Sequence, residues 1–169
     1  KKVFLIYPKK KGTIAPEIYG HFSEHIGGVF YDGLWVGKDS KVPNIRGFRK
    51  VLIEKFKAIN PPVLRWPGGC YAETYHWRDG IGADRSPRLH PIPEPANPVW
   101  RHEFGTHEFL ELCEQLGCDP YINANVGSGT VQEMAEWVEY MTAADGPMAR
   151  LRAQNGRTEP WKVKYLGER

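Results

Sequence analysis

From residue 18 onward the sequence repeats one order of elements, strand, loop and helix, three times, and then adds a strand. That repetition constrains the fold more than any other feature, because alternating strands and helices argue for a parallel sheet with helices packed outside it. Ile18–His25 reads as an apolar–polar strand segment ending at Gly27-Gly28, followed by a long Gly-rich loop through Val42-Pro43. Asn44 reads as the N-cap of a helix running to about Ile59, with Phe48, Val51, Leu52, Lys55 and Phe56 at helical spacing. Pro61-Pro62 stops it, and the short strand Val63–Trp66 runs straight into Pro67-Gly68-Gly69. A long irregular stretch, Glu73 to Phe104, is rich in Pro, Gly, Arg and His; connections of that length are usually functional or disordered. Thr106 then reads as a helix cap, with Phe109, Leu112, Cys113 and Leu116 on the apolar side and Gly117 as the C′ stop. Pro120–Ala124 is the next strand, Gly127-Ser128-Gly129 a loop, Thr130 the cap of a helix to about Met141, and Trp161–Leu166 a last strand. Ahead of the repeat, Lys2–Tyr7 is a short apolar strand.

The strand-to-helix loops are long and rich in Gly, aromatics and charge, whereas the helix-to-strand turns after Ile59 and Gly117 are short. A (β/α) barrel has that asymmetry, because its active site is built from loops at the strand C-termini. A complete barrel needs ~250 residues, so 169 residues with four strands correspond to half of one. An open four-stranded doubly wound sheet is the alternative. No Gly-x-Gly-x-x-Gly follows a strand, and Gly127-Ser128-Gly129-Thr130 lacks the Lys of a phosphate loop, so nucleotide binding has little support.

A hydrophobic share of 41% against 25% charged residues excludes a disordered chain. The balance of 23 Lys and Arg against 20 Asp and Glu leaves +3, too mild to indicate nucleic acid. No apolar run approaches the ~20 residues of a membrane span, and Val3-Phe4-Leu5-Ile6 is too short for a signal-peptide core. Three cysteines cannot form a complete disulfide framework; Cys113 and Cys118 flank a helix end and read as small core residues in a reducing compartment, which makes cytoplasm the expected location.

Four polar clusters fall at strand ends. In His21-Phe22-Ser23-Glu24-His25 the two histidines are four apart, a metal spacing on a helix but not on a strand, and half-buried, satisfied histidines are the competing reading. In Arg65-Trp66-Pro67-Gly68-Gly69-Cys70 the arginine can hold a carboxylate, with Glu24 on the neighbouring strand as candidate, or form a purely structural pair; Cys70 can be a packed small residue. Tyr75-His76-Trp77-Arg78-Asp79-Gly80, continuing to Trp100, mixes aromatics with polar groups in a way that suits a sugar, or anchors a long loop to the core. Asn123-Ala124-Asn125-Val126-Gly127-Ser128-Gly129-Thr130 is polar at a strand end, and capping alone explains Thr130.

These same runs carry a resemblance. Ile18-Tyr-Gly-His-Phe-Ser-Glu-His25, Arg65-Trp-Pro-Gly-Gly-Cys70, Tyr75-His-Trp-Arg-Asp-Gly-Ile-Gly82, Phe104-Gly-Thr-His-Glu-Phe109, Asn125-Val-Gly-Ser-Gly-Thr130 and Pro160-Trp-Lys-Val-Lys-Tyr165 closely resemble, in order, the N-terminal part of the family 51 glycoside hydrolases, the α-L-arabinofuranosidases. The resemblance implies an α/β chain forming about the first four strands of a (β/α)8 TIM barrel over residues 15–169. Residues 1–14 would supply an N-terminal strand to an accessory β-sandwich. It also implies retaining hydrolysis of terminal arabinofuranosyl groups from arabinan or arabinoxylan oligosaccharides, with no metal or organic cofactor. One glutamate serves as acid/base and another as nucleophile, their carboxyls ~5–5.5 Å apart.

Carried over by motif, Glu24 matches the glutamate that bonds sugar hydroxyls, and Arg65 the arginine supporting the catalytic pair. Cys70 matches a residue lining the sugar subsite, and Trp100 an aromatic wall of it. Tyr71-Ala72-Glu73 stands where the family usually has Phe-Ala-Asp, and the loop between Trp100 and Phe104 looks shortened. In the family the fourth strand continues into Gly-Asn-Glu, whose glutamate is the acid/base. Aligned without gaps, Glu168 falls before that triplet, so no residue of this sequence is expected to be catalytic. The resulting expectation is a piece of an arabinofuranosidase, inactive alone, whose partners are an arabinofuranosyl oligosaccharide and a missing half-barrel, or a second copy, rather than nucleic acid or membrane. The alternative is a non-catalytic half-barrel that binds sugar or assembles with a second chain.

Overall fold

The computed structural model of the chain describes residues 3, 12–85, 87–89 and 99–168. The strand expected over Lys2–Tyr7 lies, Val3 apart, outside the described residues. A 3₁₀ turn at Pro16–Tyr19 leads into β1 (His21–Phe22). After a loop come the hairpin strands β2 (Asn44–Ile45) and β3 (Phe48–Arg49), then α1 (Lys50–Ile59) and β4 (Val63–Trp66). Two 3₁₀ turns, Ala72–Thr74 and Trp77–Gly80, precede the short antiparallel pair β5 (Arg88–Leu89) and β6 (Val99–Trp100). The chain continues through α2 (Thr106–Leu116), β7 (Asp119–Ala124), α3 (Val131–Thr142), α4 (Pro147–Gln154) and β8 (Tyr165–Glu168).

The main sheet is parallel, in the order β1-β4-β7-β8, so each strand joins beside its predecessor without a reversal. Register divides its two faces. Leu64 and Trp66 on β4 stand beside Pro120 and Ile122 on β7, all four buried under the helices. There Trp66 stacks on Phe109 of α2 at 5.2 Å and meets the edge of Trp137 of α3. On the other face Phe22, Arg65, Tyr121 and Tyr165 form one row across all four strands. None of the four is fully buried. The sheet also curls: the Tyr165 hydroxyl donates to Glu17 Oε1, just ahead of β1, at 2.9 Å.

Several elements differ from the sequence expectation, the first being β1, which covers only His21–Phe22 of the expected Ile18–His25. Asn44 is not a helix cap but the first residue of a tight hairpin. Its Oδ1 accepts from Gly47 N at 3.0 Å, and Arg46 and Gly47 have φ of 54° and 95°, the left-handed pair that a two-residue hairpin turn requires. The helix therefore begins only at Lys50. Thr106 does not cap α2 either: Gly105 stands at the cap, its N–H bonded by the Glu108 carboxylate at 2.9 Å, while Thr106 Oγ1 accepts from Trp137 Nε1 in the core. α4 was not expected at all, and the last strand begins at Tyr165 rather than Trp161. Gly117 in the left-handed region and Thr130, whose Oγ1 accepts from Glu133 N, end α2 and begin α3 as the sequence implies. No helix among the described residues is long and apolar enough to cross a membrane.

Candidate functional site

The C-terminal ends of β1, β4 and β7 lie side by side, and their loops build one cluster around Glu24. β1 ends at Phe22; Ser23 then bonds the Arg65 carbonyl through both its N–H and its hydroxyl, at 2.8 and 3.0 Å. That double contact turns the chain over the end of β4 and sets Glu24 against Gly68. A Cβ at Gly68 would come within 2.3 Å of Glu24 Cγ, and its φ of 142° is one that side chains rarely adopt, so glycine is required on both counts. Glu24 Oε1 accepts from the Tyr71 backbone N–H at 3.0 Å, while no described residue bonds its second oxygen. Asn123, buried at the end of β7, donates to the Gly68 carbonyl at 2.8 Å and fixes the turn from the other side.

Beneath the carboxylate lies an aromatic floor. The His25 ring stacks on Tyr71 with centroids 4.3 Å apart and packs against Phe30 at 4.6 Å. Its Nε2 accepts from Trp66 Nε1 at 2.8 Å, so the neutral ring carries its proton on Nδ1, a buried atom with no partner. Burial first, and His102 second, push the His25 pKa down to about 3. Burial also raises the phenols of Tyr71 and Tyr75 well above the ordinary tyrosine value. The floor is therefore uncharged at neutral pH, and Glu24 brings the negative charge to it.

Arg65 does not pair with Glu24. Its guanidinium lies over the Phe22 ring at 5.3 Å, and its Nε is buried without a partner. The reason is register: Phe22, not Glu24, stands opposite Arg65, and Glu24 lies beyond the strand, folded over Gly68. The arginine thus keeps unused donors on the open face of the sheet. Cys70 is exposed at the rim of the turn rather than packed. Trp100 belongs to β6, paired with Arg88.

The Tyr75–Gly80 cluster is an anchor. Tyr75 and Trp77 are buried, Trp77 Nε1 donates to the Glu133 carbonyl of α3 at 3.0 Å, and His76 Nδ1 meets the Glu133 carboxylate at 2.9 Å. Arg78 covers the Trp77 ring and bonds Glu136 at 2.6 Å. Asn125 is likewise used inside the fold: its Oδ1 accepts from Gly127, Ser128 and Gly129 N–H groups, and its amide donates to the Tyr75 carbonyl. His21 is exposed while His25 is packed among rings, so the two do not converge. Among the described residues no group of three or more His, Cys, Asp or Glu could hold a metal ion. Asn123 and His25 are the members of the cluster whose parts the sequence did not disclose; an Asn inside an apolar strand, two residues ahead of a second Asn, is the signal for the first.

The sequence model of the alpha-L-arabinofuranosidase 1 domain matches residues 55–167. The chain belongs to the family 51 α-L-arabinofuranosidases. It is 54% identical over 163 residues to the intracellular exo-alpha-L-arabinofuranosidase of Bacteroides ovatus, a match covering 93% of this chain and 31% of that one. Among solved structures, the GH51 arabinofuranosidase of Xanthomonas axonopodis pv. citri superimposes with a TM-score of 0.84 at 42% identity, over 90% of this chain and 31% of its own. The Thermotoga maritima alpha-L-arabinofuranosidase, solved as an arabinose complex, gives 0.80 at 40% identity, over 88% and 30%. The chain therefore spans about 31% of the length of the relatives it matches, in their N-terminal part.

Proposed function

We propose that this arabinofuranosidase-family chain supplies the sugar-holding portion of a retaining enzyme that removes terminal, non-reducing arabinofuranosyl residues from arabinan and arabinoxylan oligosaccharides. The observation that carries the reading is Glu24: a half-buried carboxylate at the strand ends, oriented by one backbone N–H and with one oxygen left to accept from a hydroxyl. A charged acceptor held in this way binds a sugar hydroxyl at little ordering cost. Arg65, with donors unspent on the same open face, is suited to orient carboxylates brought to it from elsewhere. Cys70 lines the rim of the subsite, and Trp100 forms one wall. The arabinose complex of the Thermotoga maritima relative supports arabinose as the recognised unit.

The four strands are the first half of a (β/α)8 barrel spanning residues 15–169. Their unreversed order, the long loops at their C-terminal ends and the curl that brings Tyr165 to Glu17 all favour closure over a doubly wound sheet. The expectation that residues 1–14 supply a strand to an accessory sandwich falls, residues 3 and 12–14 apart, outside the described residues. Both catalytic glutamates come from outside these 169 residues, Glu168 being neither, so a complementary half-barrel supplies them, whereas a second copy pairs only the open strand edges; exposed Ile18, Tyr19 and Phe22 along the β1 edge favour such pairing. The cytoplasm is the proposed location, in keeping with the intracellular Bacteroides ovatus relative.

Assay of the purified 169-residue chain on 4-nitrophenyl α-L-arabinofuranoside tests the assignment of the carboxylates. No release of nitrophenol is expected, because a retaining mechanism lacks both its acid and its nucleophile. Turnover that disappears on Glu168→Gln would overturn it.

A further inference from the structure

The end of α2 carries a pair of thiols that the sugar site does not use. Gly117 takes the left-handed conformation, and both its N–H and that of Cys118 bond the Cys113 carbonyl, at 2.8 and 3.1 Å. This six-residue closure from Cys113 to Cys118 is the helix stop in which the residue after the glycine folds back on the one three positions before the cap, normally through a hydrophobic contact. Here both members of that contact are cysteines. A backbone N–H bonded to the carbonyl of the other residue keeps the two Cα atoms within the roughly 4.4–6.8 Å span that a disulfide bridges. Both are free thiols, Cys113 2% and Cys118 9% exposed, and both line a cleft of about 420 Å³ walled by Leu110, Pro160, Trp161 and Lys162.

We propose that Cys113 and Cys118 form a thiol–disulfide modification site, oxidised by a low-molecular-weight disulfide that enters this cleft. The Cys118 thiolate attacks one sulfur of the incoming disulfide and releases one thiolate. The Cys113 thiol then loses its proton to solvent and attacks the Cys118 sulfur, releasing the second thiolate and closing the Cys113–Cys118 bond. The protein is oxidised by two electrons and the small disulfide is reduced to two thiols. The roles follow from the surroundings of the two thiols: the neighbouring Cys113 thiol lowers the Cys118 pKa, while burial raises that of Cys113. Cys118 is thus the attacking sulfur and Cys113 the resolving one. The product staples the end of α2 to the start of β7.

The test treats the chain with excess oxidised glutathione and maps its peptides by mass spectrometry. Exposed Cys70 acquires glutathione and reports that the reagent is active. The peptide holding Cys113 and Cys118 is expected to lose two hydrogens and carry no glutathione, whereas Cys113→Ala leaves a stable glutathione adduct on Cys118. Closure in the folded chain should be at least about tenfold faster than in guanidinium, since folding holds the sulfurs together. Two free thiols beside a modified Cys70, a lasting adduct on Cys118 of the unaltered chain, or equal rates folded and denatured would each overturn the proposal.

Discussion

Two arginines show how differently the two ends of this molecule use the same side chain. Arg152 on α4 is fully buried and spends its guanidinium on the backbone, donating to the carbonyls of Tyr140, Ala143 and Thr158, each at 2.8 Å. It thereby closes the C-terminus of α3, where a cation also meets the negative end of the helix dipole. Arg65 on β4 covers the Phe22 ring, and its guanidinium bonds no described residue; each arginine leaves a buried Nε without a partner, so the contrast lies in the terminal amino groups. An arginine whose terminal amino groups are taken up by carbonyls is architecture. One with donors left over, beside a carboxylate that also has an oxygen to spare, marks the face where an external polar ligand has something to gain.

The contrast breaks or sharpens under mutation. Arg152→Ala strands three carbonyls at once and is expected to cost about 4 kcal/mol in a urea melt, near the top of the range for single substitutions. Arg65→Ala removes chiefly a cation–π contact and should cost under ~1 kcal/mol. Similar losses for the two would erase the distinction.

Acid supplies the next largest effect. His25 in the folded chain has its pKa pushed down to about 3, and His107 to about 4, by burial and, for His107, by Arg85, Arg157, Arg152 and Lys38. Unfolded histidines titrate near 6.5, so between these values the unfolded chain binds more protons. The stability from each buried neutral ring is therefore intact above pH 6.5 and declines as the pH falls toward 3 or 4, with a slope of at most about 1.4 kcal/mol per pH unit for each ring. Urea midpoints should fall between pH 7 and 5, and His25→Gln should flatten the decline; a pH-independent midpoint would contradict the buried, uncharged floor. Thr130→Ala, which removes only the cap of α3, should cost about 1 kcal/mol and leave both arginine sites untouched in the same melts.

The sequence disclosed the frame better than the contacts. Val63–Trp66, the Gly117 stop and the Thr130 cap were legible because each follows from local chemistry: an apolar run, a left-handed glycine, a hydroxyl facing a free N–H. Asn44 misled because the same side chain serves hairpin turns as well as helix starts, and the Arg46-Gly47 turn decided between them. α4 left no periodic signal, since its core-facing side mixes Ala149, Met148 and Leu151 with the buried Arg152 over only eight residues. Adjacency of strands suggested an Arg65–Glu24 pair, but pairing depends on register and on Glu24 lying past the strand, which only the fold determines. The aromatics of Tyr75–Gly80 fit both a sugar platform and an anchor; burial of Tyr75 and Trp77 against α3 selected the anchor.

The central claim, that Glu24 and the Tyr71 amide form one arm of an arabinofuranosyl subsite, is tested most directly by titrating the ¹⁵N-labelled chain with L-arabinose. Shifts should appear at the amides of Glu24, Tyr71 and their neighbours Gly69 and Cys70, and Glu24→Gln should diminish them while the amides of α3 and α4 stay in position. Unmoved Glu24 and Tyr71 resonances at saturating sugar would contradict it.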